Sequence, residues 1–438
     1  MKNKIPATLV LLLLAGAVGA CAAFQAGDEN VGVGPNPQLP APATSLVPTV
    51  HIAPAVGWPR GGKPKAPAGF QVTALATGLD HPRWVAVLPN GDVLVAETNA
   101  PPKPEDAKGI KGKVMKLVQK RAGAAPQSAN RITLLRDTNG DGVADTRQVF
   151  VQGLHSPYGM ALVGNELYIA DTDAVVKVAY QAGQLQAAGQ PVKVTDLPGG
   201  EINHHWTKNL IASEDGAKLY VTVGSNSNVA ENGIPAEEGR AAIWEVDRAS
   251  GAKRLFASGL RNPNGLAWEP QSKALWTVVN ERDELGNDLV PDYLTSVKDG
   301  GFYGWPWSYW GNHVDDRVKP QRADMVAKAT VPDYGLGSHR APLGLAFADG
   351  KLQGEFASGA FIGEHGSWNR NPRVGYKVVF VPFLGGKPSG PPVDFLTGFV
   401  SEDGKALGRP VGVAIDRTGA VLVADDVGNT VWRVAPAH

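Results

Sequence analysis

The sequence has almost no cysteine, no excess of charge of either sign and no hydrophobic run long enough to cross a bilayer permanently. Its single cysteine, Cys21, excludes an intrachain disulfide and a zinc site built from cysteines. Lys and Arg together number 42, as do Asp and Glu, and this zero net charge argues against a nucleic-acid partner held by bulk charge. The apolar run around Leu9–Leu14 is too short to span a membrane.

Two further absences narrow the chemistry. No glycine-rich loop follows a strand and opens a helix, which argues against binding of NAD or ATP. No serine-centred nucleophile elbow is present, and no long amphipathic helix is predicted. The chain is instead rich in Gly (53), Pro (34) and Trp (11), a composition typical of short strands, many turns and aromatic packing.

The first residues read as an export signal. Lys2 and Lys4 give a basic start, an apolar run follows, and Val-Gly-Ala before Cys21 has the pattern of a lipobox. We therefore predict a lipoprotein-type signal peptide over residues 1–20, lipid attachment at Cys21, and a periplasmic or membrane-anchored location. The alternative is an ordinary secretory signal that is cut near Ala23.

The rest of the chain divides into two parts that differ in composition and periodicity. Residues 21–66 lack periodicity and are rich in Pro, Ala and Gly, so they are predicted to form a semi-extended tether. Residues 67–438 repeat a strand–turn–strand pattern about six times, which predicts an all-β domain and favours a β-propeller. An irregular pair of β-sandwiches is the alternative.

A short motif, Gly-Leu-x-x-Pro, recurs in these units, at Gly78–Pro82, Gly153–Pro157 and Gly259–Pro263. In a propeller the same turn of every blade faces one end near the axis, so residues distant in sequence meet there. The third copy carries Arg261 and Asn262, whose structural interpretation is turn chemistry and whose functional one is contact with a carboxylate or an oxygen-rich ring.

Other polar clusters are candidates for function. His204-His205 precedes a strand, and a neutral histidine there could act as a general base, although a structural histidine and a metal pair are alternatives. His365, Arg370 and Arg373 make an anionic ligand plausible. The run Asn280–Asp288 could hold a hard cation or be a solvated loop.

The segment Asp137–Asp145 spaces oxygen ligands around a glycine, as a calcium loop does, but Gln148 stands where an acidic twelfth ligand is expected. Either a structural calcium or a metal-free hairpin turn fits this pattern. The candidate ligands are Asp137, Asn139, Asp141 and Asp145.

Taken together, these clusters resemble those of the soluble quinoprotein sugar dehydrogenases, and most closely the sorbosone dehydrogenase branch. The motifs that carry the resemblance are His205 ahead of its strand, LRNPNGLA, NERD, GFYGWP and GEHGSWNR, in this order along the chain. The resemblance implies a six-bladed β-propeller that uses pyrroloquinoline quinone (PQQ) and calcium.

The resemblance also implies roles for individual residues. His205 matches the general base, Arg261 the arginine at the reactive quinone oxygen, and Asn262 an adjacent cofactor contact. Backbone carbonyls at Asp283 and Glu284 match the calcium ligands. Less closely matched are the cofactor clamp and the pocket positions: Arg370, Arg373, His155 and His365.

Two positions depart from the glucose dehydrogenase branch. His204 stands where that branch has an aspartate that orients the base, and Asp283-Glu284 replaces a Gly-Pro pair. We therefore expect a PQQ- and calcium-dependent dehydrogenase that oxidises an aldose or aldehyde sugar and passes the electrons to a periplasmic acceptor. Simple oxidation of glucose is less expected. A propeller lactonase, or a surface carbohydrate-binding lipoprotein without catalysis, are the alternatives.

Overall fold

The computed structural model describes residues 28–44, 49–102, 121, 123 and 127–437. Within these residues the chain is nearly all β, and six antiparallel sheets of four main strands follow one another as the blades of a propeller. The predicted six-bladed β-propeller is therefore confirmed. The calcium-loop candidate lies in the described part, whereas the predicted signal peptide and Cys21 lie outside it.

Each blade has four main strands, ordered from the axis outward. Blades 1 and 2 contain Pro82–Val87, Val93–Glu97, Arg131–Arg136 and Thr146–Gln152, then Met160–Val163, Glu166–Ala170, Ala174–Ala179 and Ala188–Asp196. Blades 3 and 4 contain Leu210–Ala212, Lys218–Val223, Ala242–Asp247 and Lys253–Ser258, then Asn262–Trp268, Leu275–Asn280, Pro291–Ser296 and Tyr334–Ser338. Blades 5 and 6 contain Pro342–Phe347, Gly359–Glu364, Lys377–Leu384 and Val393–Leu396, then Pro410–Ile415, Val421–Asp425, Thr430–Pro436 and Phe70–Ala76.

Minor elements decorate this ring. They are the strands Val33–Gly34, Gly301–Phe302, Ser308–Tyr309, His313–Val314 and Lys387–Pro388, the helix Ala323–Val326, and the 3₁₀ turns Ile234–Glu237 and Gly354–Phe356. Among the described residues, no helix is both long and apolar enough to cross a membrane.

The ring is closed by strands from both ends of the chain. Blade 6 takes three strands from the C-terminal part, and its fourth strand, Phe70–Ala76, comes from the N-terminal side. The two end strands pair antiparallel in the register Phe70 with Pro436 and Val72 with Val434. This pairing satisfies the backbone groups on the facing edges of the two strands and leaves no open seam between the first and last blades.

Small residues in the inner strands let the blades approach one another near the axis. The pattern Pro-x-Gly-apolar-Ala recurs in blades 2, 4, 5 and 6, and its glycines are Gly159, Gly265, Gly344 and Gly412. A Cβ at Gly159 would overlap the backbone nitrogen of Leu210, the first residue of the next inner strand. The repeated motif of the sequence is therefore a packing requirement of the central ring.

Residues 28–44 and 49–66, which we call the strap, lie along the propeller rather than extending into solvent. Val33–Gly34 adds an edge strand to blade 4, and Ala55 bridges Ala406. Trp58 packs edge-on against Phe399 and Trp432. The prediction of a tether over residues 21–66 is therefore wrong for its described part, because these residues form backbone hydrogen bonds and ring contacts with the blades.

Candidate functional site

A chain of contacts runs around one end of the propeller axis and returns to its start. It is formed where inner strands begin and where second strands end, and we call it the axial ring. It passes from His205 to Ser225, Arg261, Asp283, His339, the loop of His365, Asp426, Arg83 and Trp206, which adjoins His205. Five of the six blades contribute to it, so the fold brings together residues that are far apart in sequence.

His205 is half-buried, and its ring contacts the turn that follows the second strand of blade 3. Its Nδ1 lies 2.8 Å from the carbonyl oxygen of Ser225 and 3.0 Å from the Ser225 hydroxyl. The neighbouring His204 is exposed, and its ring meets the His205 ring edge-on at 4.8 Å between centroids. The residue that holds Nδ1 of His205 is therefore on the adjacent strand end, and His204 does not take the place of an orienting carboxylate.

Arg261 is 4 % exposed and joins three loops. Its Nη1 donates to the carbonyl oxygens of Asn280 (3.2 Å) and Glu281 (2.7 Å). Its Nε and Nη2 donate to the main-chain and side-chain oxygens of Asn228, at 3.2 and 3.0 Å. Most of the guanidinium is thus committed to fixing the walls of the site, and Nη2 also faces Asp283 Oδ2 at 3.6 Å.

Asn262, next to Arg261, carries a buried amide oxygen with no hydrogen-bond partner among the described residues. Its side chain packs against Gly224, where an added Cβ would also come within 2.5 Å of the His205 Cβ. The two sequence-predicted clusters, His205 and Arg261-Asn262, therefore do meet, and glycine at position 224 is what permits the approach.

Asp283 is the centre of a buried charged group. Its Oδ1 is 3.2 Å from His339 Nδ1 and accepts a hydrogen bond from Asn369 at 2.8 Å. Burial alone would raise the pKa of Asp283, but the His339 hydrogen bond and the Arg261 charge lower this pKa to about 2. His339 Nε2 also faces the carbonyl oxygen of Gly286 at 2.8 Å, so both ring nitrogens face acceptors, and this arrangement favours the protonated ring and raises the pKa of His339.

The predicted calcium positions differ in their surroundings. The Asp283 carboxylate is already engaged by Arg261 and by His339 Nδ1, so it does not fit as a side-chain ligand of a further cation. Glu284 is exposed and pairs with Arg317 at 2.5 Å. The described residues contain no group of three or more His, Cys, Asp or Glu side chains that could hold a metal ion.

The loop Asp137–Asp145 uses its oxygens on itself. Asp137 accepts from the amides of Gly140 and Gly142, at 2.7 and 2.8 Å, and Asp145 accepts from the amide of Thr138 at 2.7 Å. Asn139 and Asp141 accept from amides two residues further on. Each oxygen pattern is that of an ordinary polar turn at the hairpin end.

Asp426 is the main residue of the axial ring that the sequence did not reveal. It is 2 % exposed and accepts from Arg83 at 2.6 Å and from His365 Nε2 at 2.9 Å. Burial would raise its pKa, but His365, His81 and Arg83 hold this pKa well below its usual range. Burial lowers the pKa of His365 to about 4, so His365 is neutral and donates to an ionised Asp426.

A second arginine lies close to Asp426. Arg409, at the start of the inner strand of blade 6, is 5 % exposed and lies on the Tyr376 ring at 4.9 Å. Arg83 and Arg409 each have an Nε atom that is buried without a hydrogen-bond partner among the described residues. Such donors need an acceptor, and an anionic ligand would supply one.

Arg370 and Arg373 are placed differently from the remaining candidates. Arg370 Nε donates to the carbonyl oxygen of Asn287 and Nη2 to Asp288, while Arg373 donates to the carbonyl oxygens of His51 and Ile52 in the strap, at 3.0 Å each. These bonds hold a site loop and the strap against blade 5.

His155 lies on the rim, half-exposed, where its Nδ1 pairs with Asp173 at 3.0 Å. Beside it, burial raises the pKa of Asp171 to about 7, and its Oδ1 has no partner in the described structure. The signal that could have found such acidic residues is their recurrence at the ends of second strands: Glu97, Asp171, Glu281, Glu364 and Asp425.

A protein-family model matches most of this chain. A family model described as TrAA12-like matches residues 125–293 and 313–437, which together are more than half of the chain. The chain belongs to the TrAA12-like family. The predicted resemblance to the soluble PQQ-dependent sugar dehydrogenases is thereby confirmed at the level of the family, whereas the sorbosone branch stays a prediction.

Sequence relatives of the chain include a fungal dehydrogenase. The pyrroloquinoline quinone-dependent pyranose dehydrogenase of Coprinopsis cinerea is 23% identical over 359 residues, which are 72% of this chain and 44% of that protein. The chain thus spans less than half of that relative's length. Homologues of this chain thus include oxidoreductases that use PQQ.

Solved structures share the propeller. The holo form of the PQQ domain of the Coprinopsis cinerea pyranose dehydrogenase matches with a TM-score of 0.68 and 21% identity, over 86% of this chain and 98% of that one. The calcium structure of the Trichoderma reesei AA12 protein matches with a TM-score of 0.68 and 19% identity, over 89% and 99%. At these sequence identities, the structural similarity is evidence for the fold of this TrAA12-like protein and for nothing more.

Proposed function

We propose that this chain is a PQQ-dependent dehydrogenase that oxidises an aldose or an aldehyde sugar such as sorbosone. The observation that carries the proposal is that His205 shares the axial ring with Arg83, and that Arg83 and the neighbouring Arg409 each have a buried Nε atom with no protein partner among the described residues. The family and the names of the homologues give the substrate class.

The residues fit this cofactor. PQQ carries three carboxylates and two quinone oxygens, and Arg83, Arg409 and the amide of Asn262 are the groups that would hold it. When bound, PQQ supplies the oxidising power by accepting a hydride, that is, two electrons and a hydrogen nucleus, from the sugar carbon.

The chain's own residues would do the following. His205 accepts the proton of the reacting hydroxyl, which is the task of a general base. Arg261 holds the loops of Asn228 and Asn280 in place, and its Nη2 faces the carboxylate of Asp283. Asp426 pairs with Arg83 at 2.6 Å and holds its guanidinium in position, so that the carboxylate and the arginine do not leave each other unpaired.

We also propose calcium, export and a lipid anchor. A calcium ion at the backbone carbonyls of Asp283 and Glu284 is supported by the family resemblance and by the calcium structure of the Trichoderma reesei relative. Export, lipid attachment at Cys21 and electron transfer to a periplasmic acceptor are supported by the sequence alone. Replacing Cys21 with Ser should release the protein from the membrane fraction, and a variant that stays there would contradict the anchor.

The central experiment is reconstitution. Purified protein is titrated with PQQ, with and without calcium, and dye reduction is measured with glucose, other pyranoses and sorbosone. We expect saturable PQQ binding and sugar-dependent dye reduction. Binding without oxidation would point to a non-catalytic carbohydrate-binding protein, and lactone hydrolysis without PQQ would point to a lactonase.

A matched pair of variants tests the cofactor position. Arg409→Gln removes the buried guanidinium at the axial end of blade 6, whereas Arg417→Gln removes an exposed one at the other end of the same hairpin. We expect PQQ affinity to fall at least about tenfold for Arg409→Gln, the loss typical of a charge-assisted contact. Equal affinities in the two variants would remove Arg409 from the cofactor site.

A further inference from the structure

Ser225 presents two oxygen atoms to the ring nitrogen Nδ1 of His205, and both of them are acceptors. The carbonyl oxygen cannot donate a hydrogen. The hydroxyl donates its own hydrogen to the carbonyl oxygen of Ser227 at 2.7 Å, so toward His205 it too is an acceptor. Nδ1 must therefore carry the hydrogen, whatever Nε2 contacts, and a neutral ring has its lone pair on Nε2.

From this we propose that Ser225 is the positioning residue that fixes His205 in the tautomer a general base needs. The role as a base rests on the proposed function, whereas the tautomer does not. In many enzymes a carboxylate accepts the hydrogen bond from Nδ1 and so fixes the histidine tautomer. The carbonyl and hydroxyl oxygens of this serine select the same tautomer, but they carry no charge.

The turn that carries Ser225 is fixed on both sides. The Ser225 amide donates to the carbonyl oxygen of Arg261 at 2.8 Å. On the other side, the Ser227 hydroxyl and the Asn226 amide donate to the buried carboxylate of Glu237, the latter at 2.7 Å. Glu237 thus acts on His205 through the turn, and the Ser225 carbonyl has little freedom to turn away.

The charged and titratable groups around His205 come from several elements. His204 lies against its ring, and Lys208 donates to the His205 main-chain oxygen at 3.2 Å. Arg83 lies on the ring of Trp206, the next residue, and Arg261 and Glu237 are connected to His205 through the serine turn. A carboxylate placed at position 225 would therefore be a new and direct influence on the protonation of His205.

The tautomer can be measured without any activity. Long-range ¹H–¹⁵N NMR of the full chain near neutral pH reports which ring nitrogen carries the hydrogen, and His205→Gln identifies the His205 signals by their loss. We expect hydrogen on Nδ1 and none on Nε2. Hydrogen on Nε2 with none on Nδ1 would overturn the inference.

Kinetics of the PQQ-loaded protein provide the second readout. In Ser225→Asp, the acidic limb of the kcat/KM profile should move to higher pH by about one unit or more, the usual effect of an adjacent carboxylate. In Ser225→Ala, kcat should fall about fivefold with KM unchanged, the factor that corresponds to one ordinary hydrogen bond. Ser213→Ala, at the opposite end of the same hairpin, is the control and should match the wild type.

The outcomes separate the two ideas. A protein that shows the Nδ1–H tautomer but oxidises no sugar would refute the proposed function and leave the positioning role intact. An active protein whose Ser225→Asp profile does not move, or whose tautomer is the opposite one, would refute the positioning role and leave the dehydrogenase intact.

Discussion

A buried histidine that stays neutral should make the stability of this propeller fall between pH 7 and pH 5. Burial lowers the pKa of His365 to about 4, whereas an unfolded histidine titrates near about 6.5. When a group has a lower pKa in the folded protein, the folded state becomes less stable as the pH falls, because the unfolded chain binds the proton at a higher pH than the folded protein does. With these two values, the loss from pH 7 to pH 5 is about 2 kcal/mol.

The assay is equilibrium urea unfolding at both pH values for the wild type and for His365→Gln. Glutamine can still donate a hydrogen bond to Asp426 but cannot titrate. The difference in free energy of unfolding between the two proteins should therefore shift by about 2 kcal/mol in favour of the variant at pH 5. His313→Gln, which removes an exposed histidine, should show no such shift. If the His365→Gln difference is the same at both pH values, the argument from burial fails.

Three further outcomes are expected. In Arg373→Ala the strap loses its two guanidinium bonds, so limited proteolysis within residues 49–66 should be faster while PQQ affinity changes less than about twofold; a large loss of affinity would return Arg373 to the cofactor site. His205→Ala should lower kcat by about 10²- to 10⁴-fold with cofactor affinity kept, as titrations and steady-state rates would show, and unchanged turnover would contradict its role. Gly159→Ala should lower the free energy of unfolding by about 1–3 kcal/mol because its Cβ would overlap the backbone at Leu210, whereas Gly390→Ala should have little effect; equal stabilities would contradict the packing argument.

The fold was predictable because each repeat has a recognisable local sequence pattern. Alternating apolar residues and tight turns such as Asn90-Gly91, where Gly91 has a φ of 96°, specify hairpins, and the repeated Pro-x-Gly motif specifies close packing at the axis. The strap was not predictable in the same way. Its binding to the blades depends on main-chain hydrogen bonds such as that from Ala43 to Leu285, and main-chain groups leave no pattern of side chains.

The candidate site was predictable only in part. His205 and Arg261 stood out because each interrupts a repeated turn with an unexpected residue, and the structure brings them together. Asp426 did not stand out because two aspartates after a strand look like any polar turn. Arg370 and Arg373 show the limit of reading charge alone, since a sequence shows the guanidinium but not whether a ligand or a carbonyl receives its hydrogen bonds.

The pairing of Phe70–Ala76 with Thr430–Pro436 also dictates an order of events during synthesis. The first of these strands leaves the ribosome long before its partner, which is the last strand of the described residues. Until then it has an unpaired edge, and blade 6 does not exist. Deletion of either end strand should therefore prevent closure of the propeller rather than remove only one strand from an otherwise intact ring.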